Sequence, residues 1–144
     1  MISEKEIVQY LSEIIKSENK FGCILSFFDI TTLACFLYYA DQKIDIALME
    51  TWIGGLHDST NIVNPIISVI TSIGEDHKDT LGNTLNEIAE VKAGIIKLNR
   101  PCVVGRDLPI EIFKKKCQEM KSDIFQAEES SKNSFNSQHE KIIE

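Results

Sequence analysis

The stretch Ile44–Asn61, IDIALMETWIGGLHDSTN, constrains the fold of this chain more than any other. Its mostly apolar start, Ile44 to Met49, predicts a short strand buried on both faces, which is typical of a parallel sheet flanked by helices. Glu50 closes that strand, and Gly54-Gly55 follow it. Ligands bind outside the carboxyl ends of strands in open parallel sheets, so a carboxylate followed by two glycines predicts a site here.

The remaining elements are predicted by capping residues and apolar periodicity. Ser3 with Glu6, and Thr84 with Glu87, have the spacing of capping boxes that open helices. The expected elements are helices from Ser3 to about Ile15, from Asp29 to Ala40, from Thr84 to Lys97 and from Leu108 to Met120, and strands at Ile66–Ile73 and Cys102–Val104. This order predicts an α/β fold with a mostly parallel sheet flanked by helices.

Composition excludes several classes of function. The 144 residues carry a formal net charge of −7, which argues against a nucleic-acid partner because phosphate neutralisation needs a basic face. No apolar run approaches the roughly 20 residues of a membrane span, so no membrane partner is expected. The four cysteines lack any C-x-x-C spacing, which indicates reduced thiols and a cytoplasmic protein. Residues 127–144 are polar and predict a mobile tail.

Three side chains are candidates for metal or proton chemistry. Glu50 and His77 follow the two predicted strands, and the carboxyl ends of neighbouring parallel strands lie about 5 Å apart. A carboxylate and an imidazole there could hold one divalent cation, with Mg²⁺ favoured because it retains waters and takes phosphate oxygens as ligands. Lys92, in the Thr84 helix, is the third candidate. The alternative is a solvated strand end and an ordinary loop histidine.

Two further positions are open to two interpretations. Asp58, near Thr60 and Asn61, predicts either a loop that grips a ligand or a turn closed by side-chain hydrogen bonds. Phe28, at the start of a predicted helix, is either a core residue or a platform for a ligand. The sequence contains neither G-x-x-x-x-G-K-[ST] nor G-x-G-x-x-G, so it offers no recognisable phosphate cradle.

Four motifs occur in a fixed order along the chain. They are Phe27-Phe28-Asp29-x-x-Thr32, IDIALME-x-x-x-GG-x-x-DSTN, VITSIGEDH-x-x-x-LG-x-T-x-x-x-IA-x-x-KAGIIK and P-x-VVG. Together they resemble the folylpolyglutamate synthase/dihydrofolate synthase family of the Mur ligase superfamily. The resemblance covers roughly Ile2 to Arg106. It implies that residues 1–126 form a partial Mur-ligase-type central (ATPase) domain that lacks its phosphate-loop segment.

The resemblance implies an ATP-dependent amide ligase of folate metabolism. In such ligases ATP phosphorylates a carboxylate of dihydropteroate or of a folate, and the amine of L-glutamate attacks the acyl phosphate. Glu50 and His77 match positions that bind Mg²⁺, Lys92 matches a lysine that is carbamylated in related ligases, and Phe28 and Asp58 match positions lining the pterin or folate pocket. Trp52 stands where the family pattern has glycine.

The missing phosphate loop implies that the polypeptide is inactive by itself. Activity would then need ligase segments supplied in trans. The alternative is a noncatalytic interaction or regulatory remnant of the same scaffold. The retained motifs are shared by dihydrofolate synthases, folylpolyglutamate synthases and bifunctional enzymes, so all three remain open.

Overall fold

The computed structural model describes residues 2–74 and 77–127. The chain divides into two compact units. The helical unit is Met1–Ile53 with His57–Val63, and the sheet unit is Gly54–Leu56 with Asn64–Glu144. Residues 128–144 of the polar tail predicted over 127–144 lie outside the described residues. Within the described part of the chain, no helix combines the length and apolar composition needed to cross a bilayer.

The helical unit begins with α1, Glu4–Phe21. The predicted capping box is confirmed, because the Glu6 amide donates to the Ser3 hydroxyl and the Ser3 amide donates to the Glu6 carboxylate. The helix continues beyond Ile15, and it ends at Gly22, whose φ of 64° breaks the helical path. Helix α1 packs against the next helix, Phe27–Gln42, and the Tyr10 hydroxyl donates to Asp41 at 2.8 Å.

Helix α2 spans Phe27–Gln42, and a 3₁₀ helix spans Ser59–Ile62. We predicted the start of α2 near Asp29. The observed start is Phe27, because Ser26 caps the helix and forms a reciprocal capping box with Asp29. This earlier start places Phe28 in the first turn of the helix.

The sheet unit contains three parallel strands in the order β1-β2-β3. Each strand pairs in register with the next, as in Ser68 with Cys102 and Cys102 with Ile124. Phe113, Ile88 and Val104 lie among its fully enclosed side chains. The elements are β1 Ser68–Ile70, α3 Lys78–Leu81, α4 Leu85–Ala93, β2 Cys102–Val104, α5 Ile110–Glu119 and β3 Ile124–Gln126. The predicted α/β class with a parallel sheet flanked by helices is confirmed.

One prediction about the opening stretch was wrong. Residues Ile44–Glu50 form no strand, and the side chains of Ile46 and Leu48 are 77% and 96% exposed. A strand needs a neighbour whose backbone completes its hydrogen bonds, and the described strands 68–70, 102–104 and 124–126 pair only with one another. For the same reason the strand predicted over Ile66–Ile73 extends only over its paired residues, 68–70.

The Thr84 helix is also shorter than predicted. Its capping box with Glu87 is confirmed. The regular helix ends at Ala93, because the amides of Ile95 and Ile96 donate to the carbonyls three residues earlier and tighten the chain into turns. Lys92 therefore lies in the last turn of α4.

Candidate functional site

Glu50 and His77 lie in different units. Glu50 is exposed at the end of the irregular segment 44–50 in the helical unit. His77 is exposed in the sheet unit, with a φ of 52°, and its carbonyl accepts hydrogen bonds from the amides of Thr80 and Leu81 at 2.9 Å. His77 thus directly precedes α3. Convergence of the two side chains on one cation remains a prediction.

The donor chemistry of this pair fits a sparsely ligated divalent cation. A carboxylate and an imidazole are both accepted by Mn²⁺ and Mg²⁺, and both side chains are exposed, so waters and phosphate oxygens can complete the coordination. Among residues 2–74 and 77–127, no cluster of three or more His, Cys, Asp or Glu side chains could hold a metal ion.

The glycine pair after Glu50 packs against the end of α4 that carries Lys92. The amide of Leu56 donates to the Val91 carbonyl at 3.0 Å. A Cβ at Gly55 would lie 3.1 Å from the Lys92 carbonyl, and the Gly55 φ of 155° also disfavours a side chain. Glycine is required here because the backbone of Gly55 approaches the last turn of α4 closely. Two of the four sequence motifs therefore meet in the sheet unit.

Asp58 closes the loop that connects the segment after Glu50 with the 3₁₀ helix. One carboxylate oxygen accepts from the amides of Trp52 and Ile53, each at 3.0 Å. The other accepts from the Thr60 amide at 2.9 Å and hydroxyl at 2.6 Å. Burial raises the pKa of Asp58, but these hydrogen bonds together outweigh burial and hold the pKa below its usual value. Of the two interpretations, the structure shows the turn closed by side-chain hydrogen bonds.

Phe28 is half-buried and contacts the ring of Trp52. The ring centroids lie 4.6 Å apart, with an angle of 57° between the planes. Such a tilted arrangement is a favourable aromatic contact. Trp52 remains 64% exposed, although its ring is supported on one side. Trp52 is therefore an exposed aromatic side chain that packs on Phe28.

Asp29 joins the start of α2 to the Asp58 loop. The Ser59 hydroxyl donates to one carboxylate oxygen of Asp29 at 2.5 Å, while the Ser26 hydroxyl donates to the other at 2.6 Å. The hydrogen bond from Ser26, followed by that from Ser59, holds the pKa of Asp29 below its ordinary value. Two ionised aspartates therefore fix the backbone segments that carry Phe28 and Trp52.

Sequence reasoning missed Asp29, Ser59 and Trp52 as parts of this arrangement. The Ser26-x-x-Asp29 spacing is itself a capping signature and could have identified Asp29 as a structural residue. No local signal indicates the contact between Phe28 and Trp52, because the two residues lie on separate segments of the chain.

The chain is similar to known folate-pathway ligases. It is 52% identical over 83 residues to the dihydrofolate synthase/folylpolyglutamate synthase of Bacillus subtilis, a match that covers 57% of this chain and 19% of the relative. This chain thus spans about a fifth of the length of that relative.

Solved structures agree with this similarity. A bifunctional folylpolyglutamate synthase/dihydrofolate synthase from Yersinia pestis, complexed with AMPPNP and a Mn ion, superposes with a TM-score of 0.78 at 30% identity, over 87% of this chain and 30% of that protein. A complex of folylpolyglutamate synthase with AMPPCP and folate superposes with a TM-score of 0.75 at 30% identity, over 80% of this chain and 29% of that protein.

The family assignment rests on a match to a family model that covers most of the chain. Residues 7–143 match the Mur ligase middle domain. Because that match spans most of the 144 residues, the chain belongs to the Mur ligase middle-domain family.

Proposed function

We propose that this chain is the central-domain portion of an ATP-dependent ligase that adds L-glutamate to dihydropteroate or to a folate. The proposal is supported by the similarity to folylpolyglutamate and dihydrofolate synthases. The observation that carries it is the packing of Gly54-Gly55 on the last turn of α4, beside Lys92. That contact joins the motif that follows Glu50 to the motif that contains Lys92, as a single nucleotide-processing site would require.

The proposed reaction has two steps. A carboxylate oxygen of the acceptor attacks the γ-phosphorus of ATP, the bond to the bridging oxygen breaks, and ADP leaves. The amine nitrogen of L-glutamate then attacks the acyl carbon, the carbon–oxygen bond to phosphate breaks, and the nitrogen loses a proton to solvent. The products are an amide, ADP and phosphate.

Glu50 and His77 are the residues that would hold a divalent cation, which we take to be Mg²⁺ in the working enzyme. A bound cation neutralises charge on the phosphate oxygens. In the solved relative from Yersinia pestis the ion is manganese. Both metals accept carboxylate oxygen, so the assignment of Glu50 does not depend on which one is bound.

Lys92 is the proposed carbamylation site. Lys92 is half-buried in the last turn of α4, and its backbone carbonyl lies beside Gly55. Reaction of the neutral amine with CO₂ forms a nitrogen–carbon bond with loss of a proton, and the product is an anionic oxygen ligand. Intact-mass spectrometry near neutral pH with bicarbonate should show the added mass of one CO₂, and Lys92→Arg should abolish it. An unchanged mass for the wild-type chain would contradict this assignment.

Phe28 and Asp58 are proposed to line the acceptor pocket by different means. Phe28 supplies apolar ring surface, whereas both carboxylate oxygens of Asp58 are already engaged by the loop. Asp58 therefore positions the loop around the acceptor. In our proposal this pocket and the cation lie in the cytoplasm, where ATP and reduced folates are available.

A graft experiment tests the ligase proposal. Residues 7–106 replace the matching segment of the Bacillus subtilis relative, and phosphate release is measured with dihydropteroate or tetrahydrofolate, L-glutamate and ATP. We expect turnover, and we expect His77→Ala in the same graft to abolish it while His57→Ala, at another exposed histidine, does not. A folded graft without turnover would contradict the proposal and favour a noncatalytic or regulatory remnant.

The 144-residue polypeptide by itself should release no phosphate. Its sequence contains no glycine-rich phosphate loop, whose backbone amides and lysine would cradle the β- and γ-phosphates. Co-expression with the remaining segments of a ligase should restore activity if those segments act in trans. Turnover by the purified polypeptide alone would contradict the expectation of inactivity.

A further inference from the structure

Trp52 is the only tryptophan of the chain and is both exposed and fixed in place. Its side chain is 64% exposed, yet its ring rests against Phe28 at a centroid distance of 4.6 Å. An exposed aromatic ring held in one position offers a flat apolar face to a ligand. A rigidly presented aromatic surface suits a flat ring system.

The backbone that carries Trp52 is preorganised. The amides of Trp52 and Ile53 both donate to the same carboxylate oxygen of Asp58. The other oxygen of Asp58 is held by Thr60. Because these hydrogen bonds already order the loop, the loop loses less conformational entropy when a ligand stacks on Trp52.

The geometry separates the roles of the two rings. Aromatic rings in contact have centroids about 4.5–7 Å apart, so at 4.6 Å no third ring fits between Phe28 and Trp52. Phe28 is half-buried in the first turn of α2, whereas Trp52 is exposed. A ligand ring therefore meets Trp52, and Phe28 supports it from behind.

The negative charges near Trp52 determine which end of an acceptor binds beside it. Asp29 and Asp58, which organise the same loop, both have pKa values below their usual values and are ionised at neutral pH. Two carboxylates repel the glutamate tail of a folate, whereas the electron-rich face of an indole attracts an electron-poor heterocycle. The heterocyclic end of the acceptor is thus the end suited to this surface.

We propose that Trp52, supported by Phe28, is the ring on which the fused heterocycle of the acceptor stacks. This inference rests on the proposed function. It goes beyond that function by making Trp52, at a position where the family pattern has glycine, the principal stacking residue. It makes Phe28 a positioning residue that acts through Trp52.

Equilibrium dialysis of the full chain tests this assignment. The probes are pteroic acid, which carries the fused ring, and p-aminobenzoyl-L-glutamate, which lacks it. We expect Trp52→Leu to weaken pteroic acid binding roughly tenfold and Phe28→Leu to weaken it less. Phe125→Leu, at an exposed aromatic residue of the sheet unit, should leave binding unchanged. Circular dichroism establishes that each variant is folded.

The single tryptophan supplies a second measurement. Pteroic acid should quench Trp52 fluorescence beyond the loss seen with N-acetyltryptophanamide at the same concentration, and p-aminobenzoyl-L-glutamate should quench it less. Quenching by pteroic acid that does not exceed the N-acetyltryptophanamide control would overturn the assignment.

The remaining outcomes separate the two proposals. If wild type and Trp52→Leu bind pteroic acid equally, or if Phe28→Leu is the more damaging change, the role of Trp52 is wrong and the proposed function stands. Tighter binding by Trp52→Leu would likewise overturn the role, because it would mean that the indole blocks the pocket. If the wild-type chain binds neither pteroic acid nor folate, the acceptor class and the role of Trp52 both fall.

Discussion

The sheet unit and the helical unit are stabilised by different interactions. In the sheet unit, a cluster of buried apolar side chains from the strands and from α4 and α5 forms the core. In the helical unit, the buried side chains among the described residues are Tyr10, Ile14, Thr32 and Thr60, and its loop is held by the hydrogen bonds of Asp29 and Asp58. The comparison shows a scaffold built by apolar burial and a candidate pocket built by directional polar contacts, which is a common division of roles in enzymes.

The largest expected effect is in the sheet core. Phe113→Ala removes a ring that is 0% exposed and should lower the free energy of unfolding by about 3–5 kcal/mol. Phe125→Ala, at a ring that is 55% exposed, should cost less than about 1 kcal/mol. Urea unfolding followed by circular dichroism measures both. An equal loss of stability in the two variants would contradict this account of the sheet unit, since it would mean that burial does not stabilise the unit.

The glycine contact should give the next largest effect. Gly55→Ala introduces a Cβ 2.9 Å from an Ile95 methyl carbon at a φ that disfavours side chains, and should destabilise the sheet unit by about 2 kcal/mol. Gly74→Ala is the control, because a Cβ there meets nothing within 4 Å. Urea unfolding of both variants tests this. A neutral Gly55→Ala would show that close packing on α4 is dispensable.

Asp58→Asn should loosen the loop of the helical unit and leave the sheet unit intact. Replacing the carboxylate weakens four hydrogen bonds and should lower local stability by about 1–2 kcal/mol. Hydrogen exchange at the amides of Trp52, Ile53 and Thr60 should accelerate, whereas exposed Asp45→Asn should leave it unchanged. Acceleration spread equally over β2 and β3 would contradict a local role.

Low pH should loosen the loop of the helical unit in the same way as Asp58→Asn. The pKa of Asp58 is lower in the folded chain than in the unfolded chain, where it is about 3.9. The ionised carboxylate therefore stabilises the fold fully above the unfolded pKa, and this stabilisation is lost as the pH falls through the folded pKa. Exchange at the Trp52 amide should therefore accelerate at low pH in wild type more than in Asp58→Asn, after correction for intrinsic exchange. Identical acid responses would contradict a contribution from the Asp58 carboxylate.

The smallest effect concerns the contact between α1 and α2. The hydrogen bond to Asp41, followed by burial, raises the pKa of Tyr10 to about 12. The Tyr10 hydrogen bond stabilises the fold fully below the unfolded pKa of about 10, and this stabilisation is lost as the pH rises through about 12. Tyrosinate absorbance should show a step near pH 12 that Tyr10→Phe removes and Tyr38→Phe retains. A step near pH 12 that persists in Tyr10→Phe would contradict the assignment of this pKa to Tyr10.

Local features of the fold could be predicted from the sequence. The capping boxes of α1 and α4 depend on residues three positions apart, so Ser3 with Glu6 and Thr84 with Glu87 were sufficient to locate both helix starts. β2 was located by its apolar residues between a proline and a glycine.

Features that depend on distant partners could not be predicted in this way. Ile44–Met49 has the composition of a buried strand but no described strand pairs with it. β3 was missed because no proline or glycine flanks Ile124–Gln126, and their pairing with β2 is what makes them a strand.

The candidate site shows the same limit. The glycines after Glu50 were predicted to mark a site, but their close packing on the last turn of α4 became known only from the structure. Asp58 was predicted as either a ligand-gripping or a turn-closing residue, and its four hydrogen bonds decide for the turn. The ring contact between Trp52 and Phe28 depends on tertiary structure and has no sequence signature.

We propose that Glu50 and His77 hold one divalent cation for a nucleotide. Titration of the chain with Mn²⁺ and AMPPNP, followed by the electron paramagnetic resonance signal of free Mn²⁺, measures this most directly. We expect one bound ion per chain and a loss of affinity of at least about tenfold in both Glu50→Gln and His77→Ala. The exposed-residue controls Glu13→Gln and His57→Ala should bind as wild type. Wild-type affinity in Glu50→Gln and His77→Ala would contradict the claim.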